Sequence, residues 1–174
     1  MVAPAGLDDV LTTLKETSDL ESSQLTQRAV AAYLDVPHQF DTHLAMIRSE
    51  YSRRLDAMLA ALEQHMHGIA KWTYPQAGMF VWVQIDGLEQ VDLMELMSRS
   101  IDLAKVAFIP GTVFSGHSDG AAGTADGGFI TNVSAACSLR LNFSNVSPHK
   151  IDEGIRRLAT FIRQVLQYGL PPAS

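Results

Sequence analysis

Residues 137–144 read Cys137-Ser138-Leu139-Arg140-Leu141-Asn142-Phe143-Ser144, a stretch that alternates between apolar and polar side chains. The alternation predicts a β-strand whose apolar residues share one face, while Arg140 and Asn142 fall on the other. A guanidinium matches a carboxylate with two parallel hydrogen bonds, so Arg140 is a candidate receptor for an acid group. The alternative is a surface arginine that pairs with a neighbouring carboxylate of the protein.

Composition narrows the classes of function. With 174 residues, 47% of them hydrophobic, the chain can form one or two domains with a real core. A net charge of -6 argues against nucleic-acid binding and gives no reason to expect attraction to anionic lipid. The single cysteine, Cys137, excludes an internal disulfide, and no apolar run approaches the length of a membrane span. We therefore expect a cytoplasmic protein.

The first part of the chain is predicted to be helical. Residues 1–36 combine an extended start with two short helices, which are too short to be stable without a surface to pack on. Residues 37–68 contain the longest helical pattern, from a predicted N-cap at Asp41 to Gly68. We assign the boundary between two structural regions to this helix.

The pattern then changes to alternating strands and helices. Residues 79–85 form an almost continuous apolar run, predicted to be a central strand buried on both faces. A helix is predicted after Asp92, a short strand at Val106 to Ile109, and a closing helix from Ser147-Pro148 to Gly169. With the strand that carries Arg140, the order is βαββα.

Other candidate sites are weaker. Residues 115–136 are polar and glycine-rich, which predicts a flexible loop without a dinucleotide or P-loop fingerprint. His65 and His67 would point in different directions on a helix, so no metal site is predicted. No serine lies in a nucleophile-elbow context.

Four segments occur in an order that resembles one family. They are Tyr74-Pro75-Gln76-Ala77-Gly78-Met79-Phe80-Val81-Trp82-Val83, Val106-Ala107-Phe108-Ile109-Pro110-Gly111-Thr112-Val113-Phe114, Leu139-Arg140-Leu141-Asn142-Phe143-Ser144 and Ile151-Asp152-Glu153-Gly154-Ile155-Arg156-Arg157-Leu158. Together they resemble the C-terminal part, or small domain, of a pyridoxal-phosphate-dependent aminotransferase of fold type I, class I/II, of the aminoadipate and multi-substrate type. The predicted fold is therefore α/β (α+β), with a three-stranded, mainly antiparallel sheet covered by helices and preceded by a long interdomain helix.

The resemblance implies a role for Arg140. The arginine at this position in the family binds the α-carboxylate of the amino acid or 2-oxo acid substrate. The resemblance also implies pyridoxal phosphate as the cofactor of the parent enzyme, and we expect a homodimer. The segments are expected to be a remnant of the large cofactor-binding domain (1–36), a linking helix (37–68) and the small domain (69–174).

One departure from the family concerns the lysine that binds the cofactor. In the family it lies upstream, and none of the four lysines of this chain has its sequence context; they are Lys15, Lys71, Lys105 and Lys150. We therefore assign no catalytic or cofactor-binding residue and expect a fragment that is inactive alone, without bound pyridoxal phosphate. The alternatives are a non-catalytic ligand-sensing or dimerisation module derived from the same fold, and a nonfunctional remnant.

Overall fold

The computed structural model describes residues 6–18, 23–114 and 135–171. The chain divides into two compact units, Met1–Arg48 and Ser49–Ser174. The predicted loop at 115–136 lies outside the described residues, apart from Ala135 and Ala136. Within the described segments, no helix combines the length and the apolar character needed to cross a membrane.

The first unit is helical in the described residues. Helix α1 spans Asp8–Ser18 and α2 spans Gln24–Leu34. The side-chain oxygen of Ser23 accepts a hydrogen bond from the backbone amide of Thr26 and so caps the start of α2. Neither helix buries a residue. Helix α3, Gln39–Met66, starts in this unit, two residues before the predicted Asp41, and continues into the second.

The second unit contains a small antiparallel sheet. Its strands are β1 (Ala70–Trp72), β2 (Phe80–Ile85), β3 (Ile109–Pro110) and β4 (Ser138–Asn142). The strand order is β1-β2-β4-β3, and all three neighbouring pairs are antiparallel. The predicted α/β architecture is confirmed, but the part of the sheet that lies in the described residues has four strands instead of three. The strand β1 was missed because a three-residue edge strand is too short to show a period-two pattern.

The prediction that β2 is buried on both faces is wrong. Val81, Val83 and Ile85 are fully buried, but the alternate residues face outward: Phe80 is 36% exposed, and Trp82 and Gln84 are half-buried. An aromatic and β-branched run fits a pleated surface well, but it does not reveal whether a second layer covers that surface.

Helices complete the second unit. The carboxylate of Asp92 accepts hydrogen bonds from the backbone amides of Met94 and Glu95. It thereby caps α4, Leu93–Arg99, which begins after Asp92 as predicted. A π-helical turn, Ser100–Ala104, follows directly. The last helix, α5, spans Pro148–Tyr168, with Ser147 as its N-cap residue.

The hydrophobic core lies on one face of the sheet. The residues at its centre come from α3, β2, β4 and α5, and include Leu62, Met66, Val81, Val83, Leu139, Leu141, Leu158 and Ile162. Side chains alternate between the two faces along a strand, so burial of Leu139 and Leu141 in the core directs Arg140, which lies between them, to the opposite face. The core therefore determines which way Arg140 points.

Candidate functional site

The outer face of the sheet positions Arg140. Its register partners are Trp82 on β2 and Ile109 on β3, so Arg140 has a neighbouring strand on each side. Arg140 is half-buried. A permanent cation is thus fixed in the interior of the sheet, on the face away from the core.

Two phenyl rings contact this cation. The guanidinium carbon, Cζ, lies 4.1 Å from the ring centroid of Phe80 and 4.4 Å from that of Phe114. Phe80 belongs to β2, and Phe114 ends the 3₁₀ turn Gly111–Phe114 that follows β3. At such distances the negative ring face attracts the cation. The rings therefore restrict where the guanidinium lies.

A third aromatic side chain supports Phe114. The rings of Trp82 and Phe114 meet edge to face, with centroids 5.8 Å apart and an interplanar angle of 69°. This geometry is a favourable one for aromatic pairs. Trp82 is also the register partner of Arg140. Arg140 is therefore positioned both by strand pairing with Trp82 and by its contact with Phe114, on which Trp82 packs.

Arg140 does not pair with a carboxylate in the described part of the chain. The ion pairs of arginine seen there involve Arg53, Arg54, Arg99, Arg156 and Arg157. The Nε atom of Arg140 is buried and has no hydrogen-bond partner among the described residues. The alternative, a surface arginine paired with a carboxylate of the protein, is not seen among the described residues, and a guanidinium without such a partner is chemically suited to an acid group from outside the chain.

The other polar side chains of this stretch have partners of their own. The Oδ1 atom of Asn142 accepts hydrogen bonds from the amide and the hydroxyl of Ser144, each at 2.7 Å. Cys137 is 2% exposed, and burial raises the pKa of its thiol. Asn142 thus shapes the turn after β4, and Cys137 behaves as the small buried apolar residue that its neighbours suggest.

The sequence predicted that Arg140 faces away from the core, but it did not predict the phenyl rings beside it. Period two places Phe80 and Trp82 on the outer face once β2 is known to pair with β4, so that signal was present. For Phe114 there was none, because its position depends on the 3₁₀ turn Gly111–Phe114 and not on a periodic pattern.

Comparison with known families settles the kind of protein to which this sheet belongs. The family model described as aminotransferase class I and II matches residues 3–158. The chain belongs to this family. The predicted family, fold type I pyridoxal-phosphate aminotransferases, is therefore confirmed.

Individual class I and II aminotransferases are similar over most of this chain. Aromatic-amino-acid aminotransferase 1 of Thermococcus litoralis is 33% identical over 153 residues, which cover 88% of this chain and 32% of that protein. The crystal structure of the alpha-aminoadipate aminotransferase LysN from Thermus thermophilus, complexed with N-(5'-phosphopyridoxyl)-L-leucine, superposes with a TM-score of 0.73 at 28% identity. The match covers 95% of this chain and 38% of that one. The chain thus spans about a third of the length of these relatives.

A relative of another kind is also similar. The uncharacterized HTH-type transcriptional regulator YdfD of Bacillus subtilis is 30% identical over 101 residues, which cover 58% of this chain and 20% of that protein. Aminotransferase-like sequence therefore also occurs in a protein whose name indicates regulation.

Pyridoxal phosphate is the cofactor of class I and II aminotransferases. The family binds it through a lysine amine, and the one lysine in the described strands, Lys71, is paired with Asp86 at 3.3 Å. Lys105 and Lys150 line a separate cavity of about 220 Å³, together with Asn142 and mostly apolar residues. Arg140 belongs to neither that ion pair nor the lining of that cavity.

His65 and His67 each contact a carboxylate of the protein. The ring of His65 contacts Asp152 at 3.0 Å, and that of His67 contacts Glu63 at 3.0 Å. In the ranges that the structure describes, no group of three potential metal ligands occurs.

Proposed function

We propose that this chain is the C-terminal part of an enzyme that moves an amino group between an amino acid and a 2-oxo acid, and that Arg140 binds the α-carboxylate of both. The observation that carries the proposal is a half-buried guanidinium with a buried Nε and no carboxylate partner in the described residues. The family membership supports the reaction class.

The contribution of this chain is to hold one end of the substrate. Each charge-assisted hydrogen bond to the carboxylate contributes about 1.5–3 kcal/mol. A fixed acid group fixes the position of the α-carbon next to it, so that part of the entropic barrier is removed before the chemical step. Pyridoxal phosphate supplies the electron sink for amino-group transfer in this family.

Binding of a simple acid tests the role of Arg140 directly. The chain, labelled with ¹⁵N, is titrated with 3-phenylpropionate, and its amide 3-phenylpropionamide serves as a neutral probe of the same shape. We expect the acid alone to shift the NMR signals of β4, with a dissociation constant of roughly millimolar order. Arg140→Gln should remove this response. A Gln variant that binds the acid as the unaltered chain does would contradict the proposed function.

The segments keep their proposed roles. Residues 1–36 correspond to a remnant of the large domain, residues 37–68 to a linking helix, and residues 69–174 to the small domain. We propose a cytoplasmic location for the protein.

We further propose that the 174-residue chain does not catalyse transamination alone, because none of its lysines has the sequence context of the family's cofactor-binding lysine. Mixing the chain with pyridoxal phosphate and then reducing with borohydride should give no stoichiometric label at one lysine. Mass spectrometry that finds one lysine fully modified would refute this proposal. The same treatment of a class I/II aminotransferase is the positive control.

Apolar side chains on the first unit support the proposal of a homodimer. Eight of them are about half exposed or more: Leu7, Val10, Leu14, Leu25, Val30, Leu34, Val36 and Met46. An exposed apolar surface of this kind usually marks a place of association. We propose that a second copy of the chain covers it.

The dimer is tested by light scattering coupled to size-exclusion chromatography. The unaltered chain should elute as a dimer at micromolar concentration, and Leu25→Asp should shift it toward the monomer because Leu25 is 80% exposed. Gln24→Asp adds the same charge to the same helix without removing an apolar side chain, and should leave the dimer intact. A monodisperse monomer of the unaltered chain would count against the proposal.

A second function is favoured by the similarity to YdfD. In that case the same fold would serve as a non-catalytic ligand-sensing or dimerisation module. The sequence encoded immediately upstream of Met1 separates the two. A segment with the cofactor-binding lysine implies catalysis, whereas a DNA-binding module implies regulation.

A further inference from the structure

The phenyl rings around Arg140 lie in an unusual place for large apolar side chains. Phe80 is 36% exposed and Phe114 is 38% exposed, and both are on the outer side of the sheet instead of in the core. Their shared neighbour is the guanidinium of Arg140. We call Phe80 and Phe114 the phenyl pair.

The nitrogen atoms of Arg140 differ in their surroundings. Of the three side-chain nitrogens of Arg140, Nε is the one that is both buried and without a hydrogen-bond partner in the described residues. This does not apply to its terminal nitrogens, Nη1 and Nη2. An acid group that approaches the guanidinium therefore meets the terminal edge first, because Nε is closed off from solvent.

A carboxylate can bind a guanidinium in two ways. It can accept hydrogen bonds from Nε and one terminal nitrogen, or from both terminal nitrogens. The first arrangement requires an accessible Nε, and here that atom is covered. A buried N–H without an acceptor is unfavourable, and the faces of nearby rings compensate only weakly.

We propose that the phenyl pair consists of positioning residues: the rings of Phe80 and Phe114 hold the Arg140 guanidinium so that it receives a carboxylate through Nη1 and Nη2, with Nε turned away. This inference rests on the proposed role of Arg140 in binding the acid. Neither ring needs to touch the reacting atoms, since each acts through the arginine.

Three elements of the fold converge on this arrangement. Phe80 is carried by β2, Phe114 by the turn after β3, and Arg140 by β4 between them. Trp82 packs edge to face on Phe114 and pairs in register with Arg140. A guanidinium restrained in this way loses less freedom when the carboxylate arrives, and this favours binding.

Affinity for 3-phenylpropionate gives the first test. Phe80→Leu and Phe114→Leu should each weaken binding by about two- to fivefold, the effect expected for a cation–π contact at a partly exposed site. Phe80→Tyr and Phe114→Tyr keep a ring and should bind within about twofold of the unaltered chain. The matched control is Tyr168→Leu, which removes a 78% exposed ring at the end of α5 and should change nothing.

The NMR signal of the Arg140 Nε–Hε group gives a second readout. It would not change if Phe80 and Phe114 only stabilised the fold. In the unaltered chain this proton should exchange slowly with water, and saturation with 3-phenylpropionate should leave its chemical shift nearly unchanged. In the two Leu variants its exchange should accelerate. A large downfield shift of Hε on addition of the acid would show that Nε takes part, and would overturn the inference.

The result for Arg140→Gln separates this inference from the proposed function. If the Gln variant loses the acid while both Leu variants bind it as tightly as the unaltered chain, the phenyl pair has no positioning role and the function stands. If the Gln variant still binds the acid, the proposed function itself is wrong.

Discussion

Arg140→Lys should weaken binding of 3-phenylpropionate by about 10- to 100-fold, nearly as much as Arg140→Gln. The lysine variant keeps the charge but replaces the planar fork by a single ammonium, so one of two charge-assisted hydrogen bonds is lost. Such a bond contributes about 1.5–3 kcal/mol, and about 1.4 kcal/mol corresponds to a factor of ten. The ammonium also has no planar face to lie against the rings of Phe80 and Phe114.

The measurement is the same NMR titration, with 3-phenylpropionamide as the neutral probe. A lysine variant that binds the acid within about twofold of the unaltered chain would show that charge alone suffices, because the fork would then contribute almost nothing. In a longer protein that carries this chain and turns over amino acids, the same loss should appear in kcat/KM. Arg163→Lys is the matched control, because Arg163 donates to the carbonyl of His65 and lies on α5.

Gly111→Ala should lower Tm by about 5–10 °C. A Cβ atom at Gly111 would lie 2.5 Å from the carbonyl oxygen of Ala135 and 2.9 Å from that of Ser138. Both are backbone atoms, so relief requires a shift of the chain itself. Overpacking of this kind costs about 1–3 kcal/mol or more, and each kcal/mol changes Tm by about 2–4 °C in a protein of this size.

Gly154→Ala is the control for this prediction, and its effect should have the opposite sign. A Cβ atom there would meet only Val106 Cγ2, at 3.9 Å, and Gly154 lies inside α5. Alanine is favoured over glycine in a helix interior by about 1 kcal/mol. Calorimetry that finds Gly111→Ala as stable as the unaltered chain would contradict the close approach of Gly111 to Ala135 and Ser138.

The strands and helices that the sequence predicted well are those with a strong local period. The strand of Arg140 alternates without interruption, and the closing helix keeps its apolar spacing from Ile151 onward, so both emerge where expected. Their patterns are strong because each buries one full face in the core. The outward direction of Arg140 followed from the same alternation, since a residue between two buried leucines must face away from the core.

The parts that escaped prediction depend on contacts between distant residues. Strand β1 exists because Lys71 and its neighbours pair with Gln84 and its neighbours, and three residues carry no period of their own. The outer face of β2 remains partly exposed because the helices pack on the other side. The contact of Phe114 with Arg140 joins residues that no local pattern links.

The burial of Cys137 makes the chain convenient for site-specific labelling. Its thiol is covered by protein, and its raised pKa keeps the nucleophilic thiolate scarce at neutral pH, so maleimide reagents should react with it slowly. Because Cys137 is the single cysteine of the sequence, a second cysteine introduced at an exposed position would be the one that reacts readily. A fluorophore attached there could report acid binding near Arg140 without removing any natural residue of the core.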